Sequence, residues 1–263
     1  TLTVTVIQSE VQRKNAKGEV VRKQTLVSTL VAKVDGDTLK GKRTNARNNG
    51  SGFDTIEFTG KRIPALPPKP DLAKVKFGAP IALLNGKDLA GWTVKETNMP
   101  NAWSIEKGLL VNRPPKEEPG KPKVRTANLR TDREFEDFNL KLEVNVPQGS
   151  NSGVYLRGIY EIQVMDSHGK PLDSHHMGAL YSRIVPSANA EKPAGEWQTM
   201  DITLVDRHVT VVLNGKKIID NQPALGCTGG AMWSDEFRAG PLFLQGDHGP
   251  VSYRNIVLRP VVK

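Results

Sequence analysis

Several features that would assign this sequence to a protein class at once are missing. Its 263 residues include one cysteine, Cys227, which excludes an internal disulfide and a cysteine-based zinc cluster. No run of eighteen apolar residues occurs, so no membrane-spanning helix is predicted. The sequence also lacks an initiator Met and a signal peptide at its start, "TLTVTVIQ", and we expect residue 1 to be a processed or truncated end.

Aromatic residues are scarce in the part of the chain that carries the positive charge. Residues 1–80 hold 15 Lys and Arg against 7 Asp and Glu, whereas residues 81–263 hold 22 against 21. Proteins that bind nucleic acid interleave basic and aromatic side chains, but only Phe53 and Phe58 precede the proline-rich segment. We therefore expect a solvated basic face in this region and no nucleic-acid partner.

A proline-rich segment divides the chain. Proline fixes φ and removes backbone donors, so "KRIPALPPKPDLAKVKFGAP" (61–80) predicts an extended linker rather than a helix or a central strand. We assign residues 1–62 to a small basic β-meander, which is incomplete at its N-terminus or packs on the rest of the chain. Residues 63–80 are the predicted linker, and residues 81–263 form the main domain.

The main domain alternates apolar and polar residues along many short segments. Segments such as "LKLEVNV", "YEIQVM" and "HVTVVLNGKKII" follow the two-residue period of strands, and no long helical period is present. "LNGK" (213–216) is a typical hairpin turn. The pattern predicts an all-β protein, with a β-sandwich or jelly roll preceded by a small antiparallel β module.

Two adjacent predicted strands carry polar side chains on one face. If the chain reverses at Gly158, then Tyr155, Arg157, Glu161 and Gln163 share the face opposite the core. This face is either an ordinary solvated surface with an exposed Arg–Glu pair or the floor of a sugar site. Tyrosine rings stack on sugars, and the other three side chains form hydrogen bonds with hydroxyl groups.

The loop "DSHGKPLDSHHMG" (166–178) concentrates carboxylates and imidazoles. Such a loop would suit a divalent cation, although surface loops collect polar residues without binding metal. The spacing matches no known metal signature. The candidate metal ligands are Asp166, His168, His175 and His176.

Further candidates come from the segments that follow other strands. In "LQGDHG" (244–249), two glycines let the chain turn around His248, which is the strongest catalytic candidate. Gln245 in this segment, Tyr181 in "MGALY" and Trp233 in a glycine-rich loop are candidate substrate-binding residues, with Trp233 as a stacking platform.

An ordered set of motifs gives a family resemblance. The motifs include "LLNGKDLAGWTV" (83–94), "LRTDREFEDFNLKLEVNVPQGSNSGVYLRG" (129–158), "YEIQVMDSHG" (160–169), "GEWQTMDITLVDRHVTVVLNGKKI" (195–218) and "GPLFLQGDHGPVSYRNIVLRP" (240–260). Over roughly residues 77–261, the chain resembles the 3-keto-disaccharide hydrolase family. The resemblance implies a concanavalin A-like jelly roll and action on sugars whose C3 hydroxyl is already a ketone. It also implies a bacterial protein that is periplasmic or secreted.

The chemistry of a 3-keto sugar suggests roles for the candidate residues. The ketone acidifies the C2 proton, so a base can remove it, and the enolate then expels the C1 substituent by β-elimination. We predict His248 as the base, Arg157 or a metal as the enolate stabiliser, and Glu161 or Asp166 as the acid. Water addition would give net hydrolysis. No cofactor is required, but a divalent cation would be compatible with the reaction.

Two other functions remain open from the sequence. A direct two-carboxylate glycoside hydrolase needs paired acids, but Glu161 and Asp166 fall on opposite faces of an unbroken strand, which disfavours it. A non-catalytic carbohydrate-binding module would need aromatic platforms and no poised base. In every case, the predicted partner is a saccharide or glycoside.

Overall fold

The computed structural model describes residues 2–15, 18–47, 51–116, 122 and 124–262. The chain forms two compact units, Thr1–Ala65 and Leu66–Lys263. No helix occurs among the described residues, and therefore none is long and apolar enough to cross a membrane. The all-β fold predicted from the two-residue periodicity is confirmed.

The first unit is a four-stranded antiparallel meander in the order β1-β2-β3-β4. Its strands are β1 (Leu2–Lys14), β2 (Val20–Asp35), β3 (Thr38–Ala46) and β4 (Phe53–Lys61). Gly36, at φ 57°, makes the tight turn between β2 and β3. The ring of Phe58 covers Gly41 on the neighbouring strand, where a Cβ would collide with it.

The second unit is a jelly roll of two antiparallel sheets. The larger sheet runs β15-β14-β13-β10-β17-β8-β7, with β5 paired to β17, and the smaller runs β12-β11-β16-β9-β6. The strands are β5 (Ile81–Ala82), β6 (Trp92–Val94), β7 (Trp103–Glu106), β8 (Leu109–Asn112), β9 (Leu129–Phe135), β10 (Phe138–Asn145), β11 (Asn151–Leu156), β12 (Tyr160–Met165), β13 (Trp197–Val205), β14 (His208–Leu213), β15 (Lys216–Pro223), β16 (Gly240–Leu244) and β17 (Val251–Pro260).

The core lies between the two sheets and is built by alternate side chains of each strand. In the smaller sheet, Val154, Leu156 and Ile162 are completely buried and belong to this core, together with Leu244. Because side chains alternate along a strand, the intervening residues of β11, β12 and β16 project from the opposite face. That outer face carries the polar residues described below.

The predicted linker does not separate the units over its whole length. The boundary lies after Ala65, and residues 66–80 belong to the second unit. The Asn221 side-chain amide donates to the Pro70 carbonyl at 2.8 Å, and the Gly78 amide donates to the Pro260 carbonyl at 2.8 Å. These hydrogen bonds attach the segment to the jelly roll, and the jelly-roll boundary at residue 81 stays a prediction.

Candidate functional site

A pocket of about 300 Å³ opens on the outer face of the smaller sheet. Strands β11, β12 and β16 supply its floor, and the segments that follow β6, β12, β15 and β16 supply its walls. Its lining consists of Lys95, Asn128, Asn151, Tyr155, Glu161, Gln163, Tyr181, Gly229, Gly230, Phe243, Gln245, Asp247 and His248.

Three residues of the predicted polar face do lie together on the floor. Tyr155 on β11 is directly opposite Glu161 on β12, and Gln163 is opposite Gly153. All three side chains are 3% exposed or less, so this face is not the ordinary solvated surface of a sheet. The Tyr155 ring also stacks on Phe243 of β16, with ring centres 4.2 Å apart.

Arg157 departs from its predicted position beside Glu161. It has φ 55° and starts the turn between β11 and β12, so strand alternation no longer determines its direction. Its Nη2 donates to the carbonyls of Glu236, at 2.7 Å, and Arg238, at 2.6 Å, and its Nε donates to Arg238 as well. Arg157 is buried and does not line the pocket, which corrects its prediction as a substrate-binding residue and enolate stabiliser.

Glu161 is placed where it can hold a proton near neutral pH. Burial raises the pKa of its carboxyl to about 7, and Asp247 contributes in the same direction. The Tyr155 hydroxyl and the positive charge of His248 lower this pKa and partly offset the effect of burial. A carboxyl with a pKa in this range can act as an acid at neutral pH.

The Tyr155 hydroxyl can accommodate Glu161 in both protonation states. Its oxygen lies 2.8 Å from Glu161 Oε2 and 2.6 Å from the Gly229 carbonyl. A hydroxyl has one proton and two lone pairs. Tyr155 therefore donates to an ionised Glu161, or it accepts from a protonated Glu161 and donates to Gly229.

Two glycines leave the space that Glu161 and Tyr155 occupy. A Cβ on Gly153 would collide with Glu161 Oε1, because Gly153 lies diagonally across from Glu161 on the same face of the sheet. A Cβ on Gly230 would lie 2.6 Å from the Tyr155 hydroxyl. Gly230 also has φ 79°, which favours glycine on its own.

The loop that carries Gly229, residues 224–239, is held by a buried ion pair. Arg207 Nη2 lies 2.5 Å from Glu236 Oε2, and both side chains are at most 6% exposed. The Tyr160 hydroxyl and the Gly226 amide also donate to this oxygen, at 2.7 and 3.1 Å. With the Arg157 contacts to the same loop, these bonds fix the Gly229 carbonyl above Tyr155.

His248 and Asp247 form a pair on the opposite wall. His248 Nδ1 lies 2.6 Å from Asp247 Oδ1, and the imidazole is half exposed, whereas Asp247 is largely buried. The hydrogen bond and charge of His248 outweigh burial and lower the pKa of Asp247. An ionised Asp247 holds the proton on Nδ1, which leaves Nε2 of neutral His248 free to accept a proton.

Two buried amide oxygens of the pocket residues lack a partner in the part of the chain that the structure describes. These are Oε1 of Gln163 and Oε1 of Gln245, and both residues line the pocket. Nε2 of Gln163 is occupied, since it donates to the His175 carbonyl at 3.0 Å. Buried polar groups are normally paired, so these oxygens suit donors supplied by a ligand.

Sequence reasoning missed several lining residues. Lys95 follows β6, and its Nζ lies 5.2 Å from the centre of the Phe243 ring and 2.5 Å from Glu96 Oε1. Asn128 precedes β9, and Asn151 begins β11. Phe243 and Asn151 had a signal in the sequence, because they share strand faces with Gln245 and Tyr155, respectively. Lys95 and Asn128 come from elements far apart in the chain.

Of three further residues predicted for the site, one lines the pocket and two do not. Tyr181 lines the pocket and packs edge-on against His175, with ring centres 4.9 Å apart. Asp166 and Trp233 do not line it. Asp166 Oδ2 accepts from the Gly149 amide at 2.9 Å, and Trp233 packs beneath Arg238 at 4.0 Å, so neither is positioned to serve as the predicted acid or stacking platform in this pocket.

Two histidines of the loop 166–178 lie within hydrogen-bonding distance of other residues of the same loop. His175 Nδ1 lies 2.7 Å from Asp173 Oδ1, and His176 Nδ1 lies 2.8 Å from the Pro171 carbonyl. Among the described residues, no group of three or more His, Cys, Asp or Glu is arranged to hold a metal ion. The predicted ligands Asp166 and His168 are therefore not gathered with these histidines around a common centre.

Comparison with known proteins gives a family match over most of the chain. Residues 79–259 match the family model described as the 3-keto-alpha-glucoside-1,2-lyase-like domain. No curated protein shows significant sequence similarity.

Solved structures from Parabacteroides distasonis are also similar. One, described as a candidate glycosyl hydrolase, is 28% identical, with a TM-score of 0.54, and the match covers 76% of this chain and 94% of that chain. A second with the same description is 25% identical, with a TM-score of 0.51 and coverage of 70% and 100%. A third, 21% identical with a TM-score of 0.55 and coverage of 70% and 94%, supports the fold alone.

Proposed function

Because the chain belongs to the family of 3-keto-alpha-glucoside-1,2-lyase-like domains, we propose that it cleaves 3-keto glycosides. The reaction removes the C2 proton and eliminates the C1 substituent, and water addition to the resulting enone gives net hydrolysis. The observation that carries this proposal is the pairing, in one pocket, of a histidine oriented by a carboxylate with a buried, protonatable glutamate.

His248 is the proposed base. Its Nε2 takes the C2 proton, and the electron pair of the broken C–H bond delocalises to the C3 oxygen as an enolate. Asp247 stabilises the imidazolium that forms and keeps the ring oriented. Because His248 is half exposed, it can return the proton to solvent after each turnover.

Lys95 is the proposed enolate stabiliser, in place of the Arg157 that the sequence suggested. Its ammonium group is the cationic side chain among the described pocket residues, apart from His248. Negative charge develops on the C3 oxygen during proton removal, and a fixed cation or hydrogen-bond donor lowers the energy of that state. The side-chain amide of Asn128, which lines the same wall, is a second donor for this oxygen.

Glu161 is the proposed acid. As the enolate collapses, the C1–C2 double bond forms, the C1–O bond breaks, and the leaving oxygen receives the Glu161 proton. Tyr155 then donates to the ionised carboxylate, at the 2.8 Å separation already present. The carbonyl oxygens of Gln163 and Gln245 accept hydrogen bonds from sugar hydroxyls and hold the ring.

Direct glycoside hydrolysis is a second candidate, favoured by one specific observation. The pocket holds two carboxyl groups whose environments separate their proton affinities: the pKa of Glu161 is raised to about 7, and that of Asp247 is lowered. An acid and an ionised carboxylate of this kind are what a glycosidase requires. In that reaction, Glu161 would protonate the leaving group and the C2 proton would stay in place.

We also propose that catalysis requires no redox cofactor. Proton transfer and β-elimination leave the total oxidation state of the substrate and its products unchanged. None of the proposed steps uses a metal ion. Treatment with EDTA should therefore leave turnover intact. We also propose a bacterial periplasmic or secreted location, on the basis of the family resemblance, and cell fractionation with a specific antibody would test it.

The experiment that tests this function compares a 3-keto glucoside with its unoxidised parent. Purified protein is mixed with each, with and without EDTA, and release of the leaving group is followed. Cleavage of the keto sugar alone, lost in His248→Asn, supports elimination. Cleavage of the parent favours the glycosidase. Binding of both with turnover of neither would overturn the enzyme and favour a carbohydrate-binding module.

A further inference from the structure

A second pocket of about 250 Å³ adjoins the first and shares His248 with it. It is formed by residues 114–116 and 124, which follow β8, and by the connections that precede β11 and β17. Its lining consists of Pro114, Pro115, Lys116, Val124, Gln148, Gly149, Ser150, His248, Gly249 and Pro250.

Consecutive residues of the chain line the two pockets where they adjoin. Asn151 lines the first and Ser150 lines the second, and Gly249 packs directly against both. A Cβ on Gly249 would collide with Ser150 Oγ and would lie 3.1 Å from the Asn151 amide nitrogen. His248, the residue before Gly249, therefore stands at the border with one pocket on each side. A ligand whose reacting bond lies beside His248 can extend into both.

The second pocket offers apolar and polar surface to a ligand in nearly equal measure. Ser150 Oγ is occupied, because it donates to the Pro250 carbonyl at 2.5 Å. The Gly249 carbonyl accepts from the Asn112 side chain at 2.9 Å. Three prolines and Val124 supply the apolar part of the lining, and Gln148, Lys116 and His248 supply polar and charged side chains. The Lys116 cation suits the face of an aromatic ring.

We propose that the second pocket binds the leaving group of the glycoside and favours an aryl aglycone, whose ring would pack on the prolines and Val124 beside the Lys116 cation. The inference rests on the proposed function, because it assigns the sugar ring to the first pocket. The C1–O bond that breaks then lies beside His248, and the released aglycone stays in the second pocket until it dissociates. The position of the proposed base His248, which lines both pockets, is what selects this occupant.

The test fills the second pocket and leaves the first unchanged. Val124→Trp adds bulk at a lining residue that is 49% exposed, and Val185→Trp makes the same change at a residue that is 50% exposed and lies outside both pockets. The substrates are the 4-nitrophenyl and methyl 3-keto-glucosides. We expect Val124→Trp to lower kcat/KM for the aryl substrate by about tenfold or more, with no loss for the methyl substrate and no effect of Val185→Trp.

The outcomes separate this inference from the proposed function. An equal loss for both substrates in Val124→Trp, or no loss for either, overturns the leaving-group pocket while leaving the elimination chemistry in place. If the wild-type chain cleaves neither substrate, the proposed function fails. Fluorescence anisotropy of 4-methylumbelliferone then decides whether the pocket takes aryl groups: weaker binding in Val124→Trp alone supports it, and identical binding in both variants overturns it.

Discussion

Individual side chains determine whether the pocket can carry out acid–base chemistry. Glu161 and His248 reach the same pocket from different elements, and each has a hydrogen-bond partner: the Tyr155 hydroxyl for Glu161 and the Asp247 carboxylate for His248. One side of the pocket can therefore donate a proton while the other accepts one. This division of roles is the feature that a binding module would not need.

The first residue-scale prediction concerns pH. If Glu161 is the acid, as we propose, then kcat/KM should fall as pH rises through about 7, the pKa of this carboxyl. Glu161→Gln should remove that limb of the pH profile and lower kcat by about 10²- to 10⁴-fold. A wild-type profile that stays flat from pH 6 to 9 would contradict the assignment.

The Glu161 carboxyl also makes the stability of the fold depend on pH. Its pKa in the folded chain is above the ordinary value of 4.5, so the folded state binds this proton more tightly than the unfolded state does. The stabilising contribution is fully present below about 4.5 and is lost as pH rises through about 7. Glu161→Gln should remove this part of the pH dependence of the unfolding free energy.

The second residue-scale prediction concerns the space that Gly153 leaves. Gly153→Ala should displace the Glu161 carboxyl, because the new methyl group would collide with Oε1. We expect kcat to fall by about tenfold or more, since small misplacements of catalytic groups are costly. Gly60→Ala on β4 is the control, because its methyl would meet Leu39 at 3.5 Å or more. Equal kcat in both variants would show that Glu161 does not need this space.

At the scale of elements, sequence periodicity predicts the sheet but not its loops. Alternation places Tyr155, Glu161 and Gln163 on one face because β11 and β12 are regular and directly paired. It fails at Arg157, where the left-handed φ of the turn directs the side chain to the 224–239 loop.

Strand periodicity does not predict which residues form the walls of the pocket. Lys95 and Asn128 are brought to the pocket by the β6–β9 pairing and by a backbone bond from the Lys95 amide to the Asn128 carbonyl. Local patterns cannot show such pairing. The sequence could indicate that His248 lies at the site, because its glycine-flanked turn follows a recognisable strand. Its hydrogen bond with Asp247 is visible only in the structure.

The element-scale prediction concerns the buried ion pair that holds the 224–239 loop. Glu236→Gln leaves Arg207 with an uncompensated buried charge, and such losses cost about 3–5 kcal/mol. Glu134→Gln is the matched control: Glu134 pairs with Arg238 at 3.3 Å on the surface, where a pair contributes about 0–1 kcal/mol. Urea unfolding of both variants tests this, and equal midpoints would show that the buried pair does not stabilise the loop.

For the whole molecule, all described pocket residues belong to the second unit, between Lys95 and His248. Most of the chain's net charge of +9 belongs instead to the first unit, residues 1–65, which hold 12 Lys and Arg against 6 Asp and Glu. A chain that begins at Leu66 should therefore keep kcat/KM for a 3-keto glucoside close to that of the full chain. Loss of turnover by this shortened chain, with its β-rich circular dichroism spectrum intact, would show that the first unit contributes to catalysis.

The central claim is removal of the C2 proton, and a deuterium label at C2 tests it most directly. A 3-keto glucoside deuterated at C2 is incubated with the protein, and the sugar product is examined by mass spectrometry against an enzyme-free sample that measures spontaneous exchange. The account predicts that each turnover releases the label from C2, because elimination breaks this bond before the leaving group departs. A product that keeps its C2 deuterium through complete cleavage would contradict the account and indicate direct hydrolysis of the glycosidic bond.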